Sequence, residues 1–207
     1  STYFEARANV RSFSRVNASL PCGAREGVCA PGMGTNAAFA LATQCYKTLM
    51  ADGRKAKQAC DMNIVTPALE NIIEANILLS GLGFESGGLA AAHGIVDGLT
   101  VLPGTHKYMH GEEVAFGTLC HMMLENAPTE ELDEVLNFCL DVGLPVCLAD
   151  IGVESISPEE LRQVAEKASI PEESTHAMPF PVNAQTVAAA IVAADQIGRA
   201  YKRERAK

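Results

Sequence analysis

The chain has 207 residues, 48% of them hydrophobic but only 5% aromatic and none tryptophan. That is ample for a packed domain built from small aliphatic side chains rather than rings. A net charge of −9 argues against nucleic acid or an anionic membrane surface as partner, and no alanine-rich run reaches the ~20 apolar residues of a membrane span.

Seven cysteines, an odd number with no apolar leader ahead of them, read as thiols of a reducing compartment, so the chain is expected to be cytoplasmic. Residues 1–9 read as the end of a helix already under way, so the sequence is expected to be a piece of something longer. Residues 10–34 form a long irregular stretch rich in Ser, Gly, Pro and Arg. It holds Cys22 and Cys29, whose Cys-x6-Cys spacing matches no zinc pattern. Thr35 caps a helix to about residue 50, with Phe39, Ala42, Cys45, Tyr46 and Leu49 at helical spacing. Gly53 is expected to end it, and a short helix follows through Cys60.

Thr66-Pro67 is a helix start, a cap residue followed by proline at the first helical position. Leu69, Ile72, Ile73 and Leu79 share one face of that helix, and Gly81 and Gly83 are expected to terminate it. Ser86 is then expected to cap a helix to about Leu99. Gly87, Gly88, Gly94 and Gly98 recur in it, and each glycine costs a helix up to about 1 kcal/mol relative to alanine. So many point to a central helix closely surrounded by its neighbours. Pro103-Gly104 turns the chain, and a helix starting near Gly111 carries Val114, Leu119, Met122 and Met123. Thr129 is expected to cap the next, to about Val142. Ser157-Pro158-Glu159-Glu160 is a capping box, and the last helix spans about 184–203. The stretch 142–151 is the nearest to a strand, but Gly143, Pro145 and Asp150 weaken it. No glycine-rich nucleotide fingerprint is present. The pattern predicts one all-α domain over 1–207 with about eight or nine helices.

Three of the five histidines fall within residues 93–110. His93 sits on the glycine-rich helix, and His110 stands at the mouth of the next one. Two imidazoles from separate elements can converge on a divalent ion such as zinc or iron. A third ligand is then needed; Asp97, one turn from His93, is a candidate, and Glu85, Glu112 and Glu113 are weaker ones. The alternative is that His93 is a satisfied histidine at a helix interface. His106 reads as a proton relay or substrate contact, or equally as a surface histidine. His121, beside Met122 and Met123, reads as structural, and His176 as a loop residue. Cys45, Cys120, Cys139 and Cys147 read as buried apolar groups.

Several motifs occur in one order: YFEAR at 3–7, VTPALENIIEAN at 65–76, ESGGLAAAH at 85–93, HKYMHGEEVAFGT at 106–118, LENAP at 124–128 and VAADQIG at 192–198. Together they resemble the glycerol-oxidising members of the iron-containing, or group III, alcohol dehydrogenase family. The resemblance implies the C-terminal helical domain of that dehydroquinate synthase-like fold. The N-terminal NAD-binding domain is expected upstream. It further implies Zn2+, or another divalent ion such as Fe2+, held by His93, His110 and an aspartate in a Gly-Asp-Ala motif ahead of Ser1. His106 would act as the catalytic pocket residue and Phe84 would contact the cofactor. The substrate would be a small polyol and the whole protein a homo-oligomer. The chain departs from the family pattern at Val96 and Asp97, where close relatives carry histidine and asparagine, and the 10–34 segment is longer. A non-catalytic helical interaction domain is the competing class.

Overall fold

A computed structural model of the chain describes Phe4, Glu5 and residues 35–207. The 10–34 stretch, with Cys22 and Cys29, lies outside the described residues, as does most of 1–9. Among the described residues there are eight α-helices and no strand, as the periodicity predicts. The weakly strand-like stretch 142–151 instead holds a short 3-10 turn, Leu148–Ile151. The chain divides into two compact units, one ending at Leu89 and the other beginning at Ala90.

The first unit is a helical layer. Helix α1, Asn36–Asp61, is capped by the Thr35 hydroxyl, which accepts from the Ala38 N–H at 3.1 Å. It runs unbroken through Gly53, which is buried inside it, so Gly53 does not end the helix. A lone glycine costs the helix about 1 kcal/mol, which good helix formers on both sides outweigh. Helix α2, Pro67–Glu74, is capped by Thr66, whose Oγ1 accepts from the Leu69 N–H at 3.3 Å. It passes without a break into a π turn, Ala75–Leu79, and then into α3, Ser80–Gly87. Gly81 and Gly83 are therefore interior residues. The stop comes at Gly88, whose φ of +77° is open to glycine and strained for other residues. Ala75, Gly83 and Gly87 are buried along the inner side, and the Cys45 thiol donates to the Ala75 carbonyl at 3.5 Å. The outer side leaves Ile73, Ile77, Leu78 and Leu82 exposed.

The second unit is built round two short helices. Helix α4, Ala91–Leu99, has Ala90 rather than Ser86 at its N-cap, because the Gly88 turn has to be completed first. Its glycines are points of close approach. A methyl group on Gly94 would lie 2.7 Å from the Thr175 side chain, and one on Gly98 would lie 2.6 Å from the Val164 carbonyl. Helix α5, His110–Leu124, is buried without interruption from Glu113 to Met122, the mark of a helix enclosed on all sides. Around these pack α6, Thr129–Val142, α7, Pro158–Lys167, and α8, Ala184–Arg205. Ile95, Leu99, Phe116, Leu119, Met122, Leu136, Ile151 and Ile191 are fully enclosed.

Side-chain hydrogen bonds fix the ends of these elements. The predicted Ser157 box is present: Glu160 accepts from the Ser157 N–H at 2.8 Å, and the Ser157 hydroxyl accepts from the Glu160 N–H at 3.2 Å. Asn183 Oδ1 caps α8 by accepting from the Thr186 N–H at 3.0 Å. Buried Asp195 accepts from the Leu148 N–H at 2.9 Å and pairs with Arg199 at 2.9 Å. A 3-10 turn, Ser174–Ala177, is tied to α4 through the Ser174 hydroxyl, which donates to the Ala90 carbonyl at 2.8 Å.

Candidate metal centre

Helices α4 and α5 bring His93 and His110 together although sixteen residues separate them in sequence. Their ring centres are 5.3 Å apart and the ring planes meet at 46°. The approach is set by backbone packing. A methyl group on Gly117 of α5 would stand 2.5 Å from the carbonyl oxygen of Ala92, the residue before His93. Only a glycine permits the two helices to come so near. His93 is half-buried and His110 is exposed, so the pair sits at the edge of the packed core.

The 5.3 Å between ring centres is close to the separation of two imidazoles that share one ion. Zinc–nitrogen bonds of ~2.1 Å at a tetrahedral angle place the centres of two ligating imidazoles about 5 Å apart. Imidazole nitrogen is a donor suited to zinc and iron alike. Among the described residues, no three of His, Cys, Asp and Glu gather into a metal-holding group. Asp97 thus does not complete the set with His93 and His110. It faces Glu173 instead, whose carboxyl is pushed up by burial and by the neighbouring Asp97. Glu112 is engaged by the backbone N–H of Met109 at 2.8 Å, Glu113 is buried, and Glu85 lies on α3 in the other unit.

His106 belongs to a 3-10 turn, Thr105–Lys107. Its Nε2 is 2.8 Å from the Thr100 carbonyl oxygen. A carbonyl only accepts, so Nε2 carries the proton, and in the neutral ring Nδ1 holds the lone pair. The tautomer of His106 is thereby fixed by the carbonyl of Thr100, the C-cap residue of α4. Thr100 is itself held by Lys167, whose Nζ donates to its hydroxyl at 2.6 Å. Phe84 is half-buried on α3, and its carbonyl accepts from the Gly88 N–H at 2.9 Å.

His121 is fully enclosed in the core. His176 Nε2 donates toward the Ser169 and Ile170 carbonyls, each at 3.1 Å, and so ties its own loop together. Cys120, Cys139 and Cys147 are buried, and burial pushes the Cys139 thiol up to about 11. Sequence reasoning missed the support given by Thr100 and Glu112. The only signal was in HGEE itself: a glutamate at the third helical position, as in a capping box, but behind a methionine that has no hydroxyl.

The all-helical arrangement matches the C-terminal domain of the iron-containing alcohol dehydrogenase type. Comparison with known proteins agrees. The chain is 53% identical over 170 residues to glycerol dehydrogenase of Thermotoga maritima, covering 82% of this chain and 47% of that protein. A probable glycerol dehydrogenase of Sinorhizobium meliloti superposes with a TM-score of 0.85 at 46% identity, over 96% of this chain and 53% of that one. Glycolaldehyde reductase of Halobacterium salinarum is 44% identical over 168 residues, 81% of this chain and 46% of that protein. No family model matches. The chain belongs to the glycerol dehydrogenase family and corresponds to the C-terminal half of its members. It spans about half the length of the curated relatives it matches.

Proposed function

We propose that this chain is the histidine-bearing half of an NAD-dependent glycerol dehydrogenase, which converts glycerol and NAD to dihydroxyacetone, NADH and a proton. The observation that carries the reading is the convergence of His93 and His110 at 5.3 Å in a chain of this family. These two residues would hold a divalent ion, zinc or iron, with an aspartate supplied from the N-terminal side of the same polypeptide. Such an ion lowers the pKa of a bound hydroxyl and so prepares it to lose its proton.

The chain's own residues supply orientation and proton handling. His106, with Nε2 committed to the Thr100 carbonyl, presents Nδ1 as the acceptor for a substrate hydroxyl or its relayed proton. Phe84 offers a flat apolar face to the cofactor. Close packing of α4 on α5 keeps the two imidazoles in register, which matters because reacting groups must be held to within about 0.5 Å. The exposed apolar side chains of Val65, Ile73 and Ile77 suit burial in a homo-oligomer of the whole protein. No helix among the described residues is long and apolar enough to cross a membrane, in keeping with a cytoplasmic enzyme.

The test is glycerol oxidation, followed as NADH absorbance, by the polypeptide in which this chain is joined to its nucleotide-binding half. Activity lost in His93→Ala and His110→Ala supports the reading, and the 207-residue chain by itself is expected to be inactive. Wild-type rates in both variants would overturn it. The glycolaldehyde reductase relative favours a second substrate class, small hydroxyaldehydes and 1,2-diols. Comparing kcat/KM for glycerol, 1,2-propanediol and glycolaldehyde decides between them.

A further inference from the structure

We propose that Glu112 is a positioning residue for His110: its carboxylate, tied to the Met109 N–H, holds the unpacked first turn of α5 so that the His110 ring stays beside His93. This rests on the reading that the two histidines share an ion.

The first turn of α5 has little else to fix it. Met109, at the N-cap, is 77% exposed and carries no hydroxyl or carboxamide, unlike Thr35, Thr66, Ser157 and Asn183 at other helix starts. His110 is exposed, and nothing lies within 4 Å of where a Gly111 side chain would be. Glu113 is the first buried residue of the helix. The Met109 carbonyl accepts from the Glu112 and Glu113 N–H groups at 2.9 and 3.2 Å, as at any helix start. The Met109 N–H is taken by Glu112 Oε2 at 2.8 Å. That bond closes a ring over residues 109–112 with His110 inside it. It fixes the Tyr108–Met109 peptide, one peptide ahead of His110, and so restrains how the chain enters the turn that carries the His110 side chain.

An internal control exists. Glu160 makes the same bond, at the same 2.8 Å, to the Ser157 N–H at the start of α7, on a helix with no histidine. Loss of a cap alone should affect both helices alike. Loss of ligand positioning should affect only α5.

The experiment measures the ring-to-ring nuclear Overhauser effect between His93 and His110 for the 207-residue chain without metal, and Zn2+ affinity, by competition with a chromophoric chelator, for the polypeptide in which this chain is joined to its N-terminal half. In Glu112→Ala the Overhauser effect should fall at least threefold and zinc should bind about 10-fold more weakly, the usual size of a lost supporting contact. Glu112→Gln keeps the acceptor oxygen without the charge and should stay within threefold of wild type. Glu112→Asp keeps the charge but is too short to reach, and should behave like Ala. Glu160→Ala should lower thermal stability while leaving both readouts unchanged.

Wild-type behaviour of Glu112→Ala, equal losses in Glu160→Ala, or retention by Asp with loss by Gln would each overturn the proposal. Should the joined wild-type polypeptide take up no zinc, it is the metal reading that fails. The metal-free Overhauser arm then decides the positioning role by itself.

Discussion

Gly117→Ala tests the packing that brings the histidines together. The added methyl would stand 2.5 Å from the Ala92 carbonyl oxygen and 3.0 Å from Val96 Cγ2. The oxygen is backbone within α4 and cannot rotate away. Opening that contact to the 3.4 Å of ordinary van der Waals separation moves α4 and α5 apart by about 0.9 Å. Overpacking of this kind costs roughly 1–3 kcal/mol. The better helix propensity of alanine offsets up to about 1 kcal/mol of it. The net loss of roughly 1–2 kcal/mol corresponds to a fall in Tm of about 2–8 °C for a chain of this size. His93 follows Ala92 directly, so the same displacement separates the imidazoles by more than the ~0.5 Å a metal site tolerates. Thermal denaturation and zinc competition on one sample read both effects. A variant as stable as wild type, or more stable through helix propensity alone, would show that the helices do not approach as described.

Two further substitutions probe the frame. Burial and the neighbouring Asp97 raise the Glu173 carboxyl above its ordinary value of 4.5. A raised folded-state pKa contributes stability that is complete below the unfolded value and is lost as pH rises through the folded one. Glu173→Gln, which cannot ionise, should therefore match wild type near pH 4 and exceed it at pH 7. Solvent screening keeps the gap small, and a gap independent of pH would refute the assignment. Asp195→Ala removes the acceptor of the buried Leu148 N–H. The orphaned donor should cost about 2 kcal/mol, or roughly 4–8 °C in Tm by calorimetry; an unchanged Tm would contradict it.

Much of the fold was legible because its signals are local. Thr35, Thr66 and Ser157 mark real helix starts, since a short polar side chain before an apolar period has few other uses; Thr129 instead is the first residue of α6, whose N-cap is Pro128. Glycine was the difficult signal. Gly53, Gly81 and Gly83 read as stops, yet they lie inside helices, because a glycine chosen for clearance looks the same in sequence as one chosen for a turn. Only Gly88, with its positive φ, ends the helix. The π turn at 75–79 carries no residue signature either. His93 and His110 stood out by type and crowding. Their convergence depends on Gly117 against Ala92, a contact between distant residues that no periodicity reports. Asp97 was a reasonable ligand candidate by spacing, but tertiary packing turns it to Glu173.

The central claim is that His93 and His110 together hold a divalent ion. Metal content per polypeptide, measured by plasma mass spectrometry on the whole enzyme, tests it most directly. The account predicts about one zinc or iron per chain in the wild type and in His176→Ala, and at most about a tenth of that in His93→Ala and in His110→Ala. Undiminished metal in both His93→Ala and His110→Ala would contradict it.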